Sequence, residues 1–414
     1  MLTSLFPNTH SRYTSLPVLG DVLEDLCAWL EARGHPPSSI CRRVEAAPFL
    51  DNCLRQREIY SVSGCTLAQL RACFPQQKRW TPQIACALGR SLLKYLDEGG
   101  RLAWPPPTAL ERLIHAYREH LEHVRGLAPS TVRRHAAVAG DFLHFLHYDG
   151  DSGRLSQVQA ADLETFVGEA SARVGRITMQ KVVAILRCFL RFLSLHGETP
   201  AGLDRYLDSP RHHRGERLVR ALPWNHVLAL LHAIDRSNVK GCRDYAILLL
   251  IATYGLRRSE VASLALDDIE WRSRVIRVPR PKVGNPLDLP LTDEVATALV
   301  SYLRCRSSQA HERRLFLRVR APQGPIQPTA VGDAFDFWAA RAGVCLPGSG
   351  GPHCLRHALA MHLLRQGAPL KTIGDLLGHR SVESTGVYLR LQVDDLRDVA
   401  LPLPTSNSCP EVRS

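Results

Sequence analysis

The chain has 414 residues, 45% hydrophobic and 22% charged, with 52 Lys and Arg against 40 Asp and Glu for a formal charge of +12. That length supports two or three domains with their own cores, and the composition is that of a globular rather than a disordered protein. The positive balance favours a polyanionic partner, while the lack of a signal-peptide pattern or of any apolar run of about eighteen residues predicts a cytoplasmic protein with no membrane association.

Twelve cysteines are scattered without a C-x-x-C pair, which argues against a zinc ribbon or a disulfide framework. Only six of the basic residues are lysines (Lys78, Lys94, Lys181, Lys240, Lys282 and Lys371), so each lysine stands out against an arginine-rich background.

Residues 1–104 read as a helical N-terminal segment. Within it, Arg33-Gly34-x-x-Pro37-Ser38-x-Ile40-x-Arg42 recurs 92 residues later as Arg125-Gly126-x-x-Pro129-Ser130-x-Val132-x-Arg134. Ala47 and Leu54 recur as Ala139 and Leu146 at the same offset, and Leu70 as Leu163 one residue further on. Two readings stay open: a diverged duplicate of the next helical unit, or a common way of ending one helix and starting another.

Pro105, Pro106 and Pro107 then break the chain, since successive prolines cannot continue a helix. Residues 107–200 read as helices. Leu110, Leu113, Ile114, Tyr117 and Leu121 recur at helical spacing; Pro129-Ser130-Thr131 offers capping chemistry for a second helix; Val182, Val183, Leu186, Phe189, Leu190 and Leu193 mark another. Residues 201–221 form a connector rich in arginine and bounded by proline. It suits either a linker lying against phosphates or a solvated charged loop.

From 222 onward, the apolar run 242–254 predicts a buried helix that Gly255 terminates. Residues 275–278 and 287–290 read as strands joined by the turn P-R-P-K-V-G-N-P, which carries Lys282. The remainder is mainly helical, with Pro352 at the first position of a helix that carries His353 and Arg356 on one face and ends before Gly367. Gly378 caps the next helix, and Ser381 is a candidate N-cap for a short one after it.

Four short motifs carry chemistry: G-L-R-R-S-E (255–260), H-C-L-R-H (353–357), L-G-H-R (377–380) and V-Y-L-R (387–390), together with Lys282. Their order and local sequences, over residues 107–392, resemble the tyrosine recombinase (phage integrase) family. The resemblance implies a mainly α protein with a small antiparallel β-sheet. A helical SAM-like core-binding domain (107–200) precedes an α+β catalytic domain (222–392), with the extra segment 1–104 in front and a tail (393–414) behind. The tail contains an amphipathic stretch, D-D-L-R-D-V-A-L, that either docks on a neighbouring protomer or is disordered.

The resemblance also assigns a catalytic set: Arg257, Lys282, His353, Arg356, His379 and the nucleophile Tyr388. A phenol with a pKa of about 10 attacks a phosphodiester poorly without help. Arginine forks neutralise the non-bridging oxygens and stay protonated, which suits Arg257 and Arg356. Lys282 can give up a proton, so it fits the general acid for the departing 5′-hydroxyl, although the family's turn is commonly richer in glycine and lysine. His353 is the candidate acceptor of the tyrosine proton and His379 a donor to a non-bridging oxygen. Glu260 would orient Arg257, with the adjacent Arg258 pointing elsewhere, and His357 would support the site by packing.

Candidate DNA contacts are Arg133, Arg134, Lys181, Arg211 and Arg214. No phosphate-binding glycine loop and no metal-ligating carboxylate set accompanies these cations, so neither a cofactor nor a metal is expected. The implied partner is double-stranded DNA bearing recombination sites, bound by a homo-tetramer or together with sister recombinases. The implied activity is site-specific recombination through a 3′-phosphotyrosine, in integration or excision of a mobile element. Two competing readings are a type IB topoisomerase-like relaxing enzyme and a non-catalytic DNA-binding accessory protein.

Overall fold

In a computed structural model of the chain, the described residues are 1–63, 65–66, 69–70, 80–102, 106–149, 151–211, 221–279, 286–306, 312–346 and 351–378. They are mainly helical with one small antiparallel sheet. The chain divides into two compact units, one formed within 1–62, 70–101 and from 217 onward, the other within 63–69 and 102–216. The N-terminal helices therefore share a unit with the C-terminal half.

After two short helical turns (Leu2–Leu5 and His10–Thr14), the first unit contains α1 (Gly20–Ala32), α2 (Pro37–Val44), α3 (Ala47–Arg55) and α4 (Trp80–Glu98). Asp51, 2% exposed, accepts from the backbone N–H of Val18 and of Leu19 at 2.9 Å each, so a side chain of α3 caps the start of α1.

The second unit holds α5 (Ala109–Glu119), α6 (Pro129–Phe145), α7 (Ala160–Arg173) and α8 (Arg176–Leu195). Thr108 and Glu111 form a capping box at the start of α5. The expected cap of α6 differs from the structure. Ala128 is the N-cap and makes no side-chain bond, because Pro129 takes the first helical position and leaves Ser130 and Thr131 inside the helix. The connector differs as well, since its first part folds back along α8. Leu203 and Leu207 are buried in the helical core, Arg191 pairs with Asp204 at 2.7 Å, and Gln180 Nε2 donates to the Pro210 carbonyl at 2.6 Å.

The first unit continues with α9 (Trp224–His232), α10 (Val239–Tyr254), α11 (Arg258–Ser263), β1 (Ile269–Glu270), β2 (Val275–Val278), β3 (Leu287–Pro290), α12 (Asp293–Cys305), α13 (Pro328–Arg341), α14 (His353–Arg365) and α15 (Leu370–Leu377). The strands run in the order β1-β2-β3, all antiparallel, with Val275 opposite Pro290 and Val278 opposite Leu287. α10 is the core helix: ten of its residues, from Gly241 to Tyr254, are buried, and it packs against α12, α13 and α14.

A buried carboxylate fixes α10 against α13. Asp244 is wholly buried and accepts from Trp338 Nε1 at 2.9 Å, from Lys240 at 3.0 Å and from Arg243 at 2.7 Å. At the far end of α10, the Tyr254 hydroxyl donates to the Pro290 carbonyl at 2.6 Å and accepts from the Thr292 N–H at 3.2 Å. The sheet is thereby tied to the residue next to Gly255.

Candidate active site

Gly255 ends α10 in the left-handed conformation, at φ +65°. A side chain there would be strained by the backbone and would also collide. A Cβ would lie 2.5 Å from Leu377 Cδ2, 3.3 Å from Leu359 Cδ2 and 3.5 Å from Arg356 Cγ. Glycine thus lets the end of α10, the middle of α14 and the end of α15 meet at one point. The functional side chains leave from that junction.

Arg257 is the N-cap of α11. Its backbone N–H donates to Glu260 Oε2 at 2.7 Å and its guanidinium to Glu260 Oε1 at 2.7 Å. Glu260 is 6% exposed and Arg257 half-buried, so the carboxylate holds the guanidinium from the protein side and leaves part of it facing outward. Arg258, next in sequence, is exposed.

Arg356 sits one helical turn into α14 and is 1% exposed. Its two terminal nitrogens donate to the Gly255 carbonyl, at 2.5 Å, and to the Leu377 carbonyl. Both acceptors lie at helix C-termini, where the backbone dipole adds negative potential around a buried cation. The sequence reading gives this fork to a phosphate; in the structure it grips the two helix ends that lead into Arg257 and into the segment after Gly378. Gly378 itself caps α15 at φ +61°.

His353 is the first residue of α14 and Pro352 its N-cap, so the helix starts one residue later than the sequence suggests. The residue is exposed. Desolvation leads the causes that hold its pKa below the ordinary histidine range, and the guanidiniums of Arg356, Arg257 and Arg258 push the same way. A depressed pKa keeps His353 neutral near pH 7, the form that can accept a proton. His357 lies edge-on to it, with ring centroids 4.5 Å apart at 78°.

The structure therefore brings Arg257, Glu260, His353, Arg356 and His357 around one junction, with two guanidiniums and a neutral imidazole as neighbours. Lys282, His379 and Tyr388 lie outside the described residues, as do Ser381, Arg214 and the tail 393–414. Strands β2 and β3 flank the segment that carries Lys282. In the second unit, Arg133, Arg134 and Lys181 are exposed, and so is Arg211 at the end of the folded-back connector. Sequence reasoning did not single out Gly255 as a packing point, nor Arg258 as a charge acting on His353. Both were in view only as a helix cap and as a neighbour of Arg257.

Comparison with known proteins bears on most of the chain. The Phage integrase family profile matches residues 220–394, and that of the phage integrase N-terminal SAM-like domain matches 114–197. A protein of Sinorhizobium fredii described as an integrase/recombinase, y4rA, is 39% identical over 385 residues, covering 91% of this chain and 92% of its own. The tyrosine recombinase XerC of Myxococcus xanthus is 31% identical over 300 residues, covering 70% of this chain and 97% of its own. Among solved structures, XerH site-specific recombinase bound to a palindromic difH substrate superposes with TM-score 0.55 at 15% identity, over 74% of this chain and 87% of that one. A lambda integrase dimer bound to a core site gives 0.53 at 16% identity, over 67% and 94%.

Proposed function

The chain belongs to the tyrosine recombinase (phage integrase) family, whose members cleave and rejoin DNA through a tyrosine intermediate, and from that premise we propose a role for each residue of the site. Tyr388 Oη attacks the scissile phosphorus and its proton passes to His353. The P–O5′ bond breaks, Lys282 protonates the departing 5′-oxygen, and the product is a 3′-phosphotyrosyl link. Attack by the 5′-hydroxyl of a partner duplex reverses these steps and completes strand exchange. The phosphotyrosyl bond conserves the energy of the broken linkage, so the chemistry balances without ATP.

The observation that carries this reading is the junction at Gly255. Arg257 is held outward by Glu260, beside a histidine kept neutral by its surroundings. Arg257 neutralises the non-bridging oxygens in the transition state, and His379 donates to one of them. Arg356 has two duties: it braces the two helix ends, and its buried charge is felt at the phosphate with little screening. Residues 107–200 act as the core-binding domain and 222–392 as the catalytic domain. Arg133, Arg134, Lys181, Arg211 and Arg214 take DNA phosphates between them. The active assembly is a homo-tetramer on paired sites, alone or with sister recombinases, working in the cytoplasm on a mobile element.

The test is a library of nicked suicide duplexes of randomised sequence, incubated with the protein and resolved on denaturing gels. Covalent adducts are expected with the wild-type chain and none with Tyr388→Phe. An undiminished adduct in Tyr388→Phe overturns the assignment. Relaxation of supercoiled plasmid without pairing of sites favours the topoisomerase-like reading instead.

A further inference from the structure

The N-terminal helices repeat the second unit in more than the R-G-x-x-P-S motif. Each copy contains three helical segments that close on a left-handed residue, in the same order. In the first copy these residues are Gly34, Glu58 and Gly100; in the second they are Gly126, His147 and Gly197. The closures share a hydrogen-bond pattern as well. The next N–H returns to a carbonyl five residues back in His35→Leu30, Ile59→Leu54 and Arg101→Leu96, and likewise in Tyr148→Leu143 and Glu198→Leu193.

The one exception explains a change in register. Leu127 reaches back six residues to Leu121, because residues His120–Val124 form a π-turn that holds one extra residue. Before the turn the copies align at an offset of 91, pairing Leu19 with Leu110, Leu26 with Tyr117 and Leu30 with Leu121, all buried. After it the offset is 92, pairing Ile40 with Val132, Val44 with Ala136, Ala47 with Ala139, Leu50 with Phe142 and Leu54 with Leu146, again all buried. The Leu19 N–H is capped by Asp51 and the Leu110 N–H by Asp149, both at 2.9 Å. In the last helices the offset is 97, pairing Leu88 with Ile185, Leu92 with Phe189 and Leu96 with Leu193. The main departure is that α2 and α3 break where α6 runs through, with Pro48 standing at the position of Gly140.

Packing accounts for the shared buried residues and backbone geometry for the shared glycines and prolines. Arg33 and Arg125 each bond the last helical region of their own copy, through Glu98 and Cys188. Ser38 matches Ser130 and Arg42 matches Arg134. All four are exposed, identical in pairs, and spaced four residues apart on one helix face.

We propose that residues 19–101 are a second copy of the helical unit 110–198, and that it binds DNA phosphates through the α2 face carrying Ser38 and Arg42. This rests on the proposed role of Arg134 at the matching position of α6. A hydroxyl and a guanidinium one turn apart suit a phosphate, which accepts from both. The relatives fit the same division. The y4rA match spans more residues than lie between 107 and 414, so y4rA shares this region, whereas nearly all of XerC is matched by 70% of the chain.

The experiment measures binding of the full-length chain to a fluorescein-labelled random-sequence duplex of about 50 base pairs across a salt series, where each phosphate contact contributes about 0.9 to the slope of log K against log salt. Arg42→Ala and Arg134→Ala are each expected to weaken binding by about tenfold and to lower the slope by about 0.9. Arg42→Lys should keep the slope, because an ammonium still pairs with phosphate. Arg55→Ala, an exposed arginine at the end of α3 in the same copy, should leave both quantities unchanged. A normal slope in Arg42→Ala beside a lowered one in Arg134→Ala overturns the second binding face. Normal slopes in both overturn the inference together with the DNA-facing reading of α6. Adduct formation on nicked duplexes at saturating protein is read in parallel: its absence in the wild type is a failure of the recombinase chemistry, not of this surface.

Discussion

Gly255→Ala separates the two demands that the junction places on one residue. The backbone demand is φ +65°, which costs an L side chain about 1–2 kcal/mol. The packing demand is the Cβ position 2.5 Å from Leu377 Cδ2, in a core where Leu377 is wholly buried and has nowhere to retreat. Overpacking of that kind costs about 1–3 kcal/mol, giving about 2–5 kcal/mol in total. Gly343→Ala is the control. It lies in the same unit at φ +64°, but its Cβ would meet nothing within 4 Å, so only the backbone term of about 1–2 kcal/mol applies. The loss of unfolded-state entropy on replacing glycine is common to both and cancels. Urea unfolding followed by tryptophan fluorescence gives the two stabilities with the m-value as a check on the transition. Equal losses in the two variants would refute the close approach of α10, α14 and α15 at Gly255, and with it the reason Arg356 can reach both carbonyls.

Three further outcomes follow from the same geometry. Arg258→Ala removes one of three guanidiniums that depress the His353 pKa, so that pKa should rise. Because the neutral imidazole is the proton acceptor, the acid limb of the cleavage rate, measured at saturating protein, should move to higher pH; an unmoved limb, or one displaced to lower pH, contradicts the assignment. Glu260→Gln keeps an acceptor for the Arg257 N–H but loses the charge that holds the guanidinium, and should slow adduct formation by about 10–100-fold while DNA affinity stays within about threefold. Trp338→Phe withdraws one donor from the buried Asp244 carboxylate and should cost about 1.5–3 kcal/mol in the same urea assay; no loss would mean that Lys240 and Arg243 alone satisfy it.

How much of this was legible in the sequence depends on what each feature is made of. Side-chain patterns were legible. The apolar run before Gly255, the β2–β3 pairing and the Arg257–Glu260 spacing follow from periodicity and from residue types with few alternatives. The mainly helical class with a small sheet followed from the same signals together with the family resemblance. Backbone acceptors were not. Nothing in a sequence marks the carbonyls of Gly255 and Leu377 as partners of Arg356, because every residue carries one. β1 was missed because two residues, Ile269 and Glu270, are too short to show alternation; β2 supplies their pairing. The folding-back of 203–211 was obscured by arginines, although Leu203 and Leu207 were there to be buried. The repeat was half visible, since R-G-x-x-P-S survives as identity, whereas the rest survives as burial and left-handed caps across a register that a π-turn shifts by one.

The central claim is that one phenol is the nucleophile at this cationic junction. Its most direct test is mass spectrometry of the protein–DNA adduct after nuclease and protease digestion. The account predicts a nucleotide joined through its 3′-phosphate to the peptide containing Tyr388, and to no other. A nucleotide on a different tyrosine, on a serine, or attached through a 5′-phosphate would contradict it.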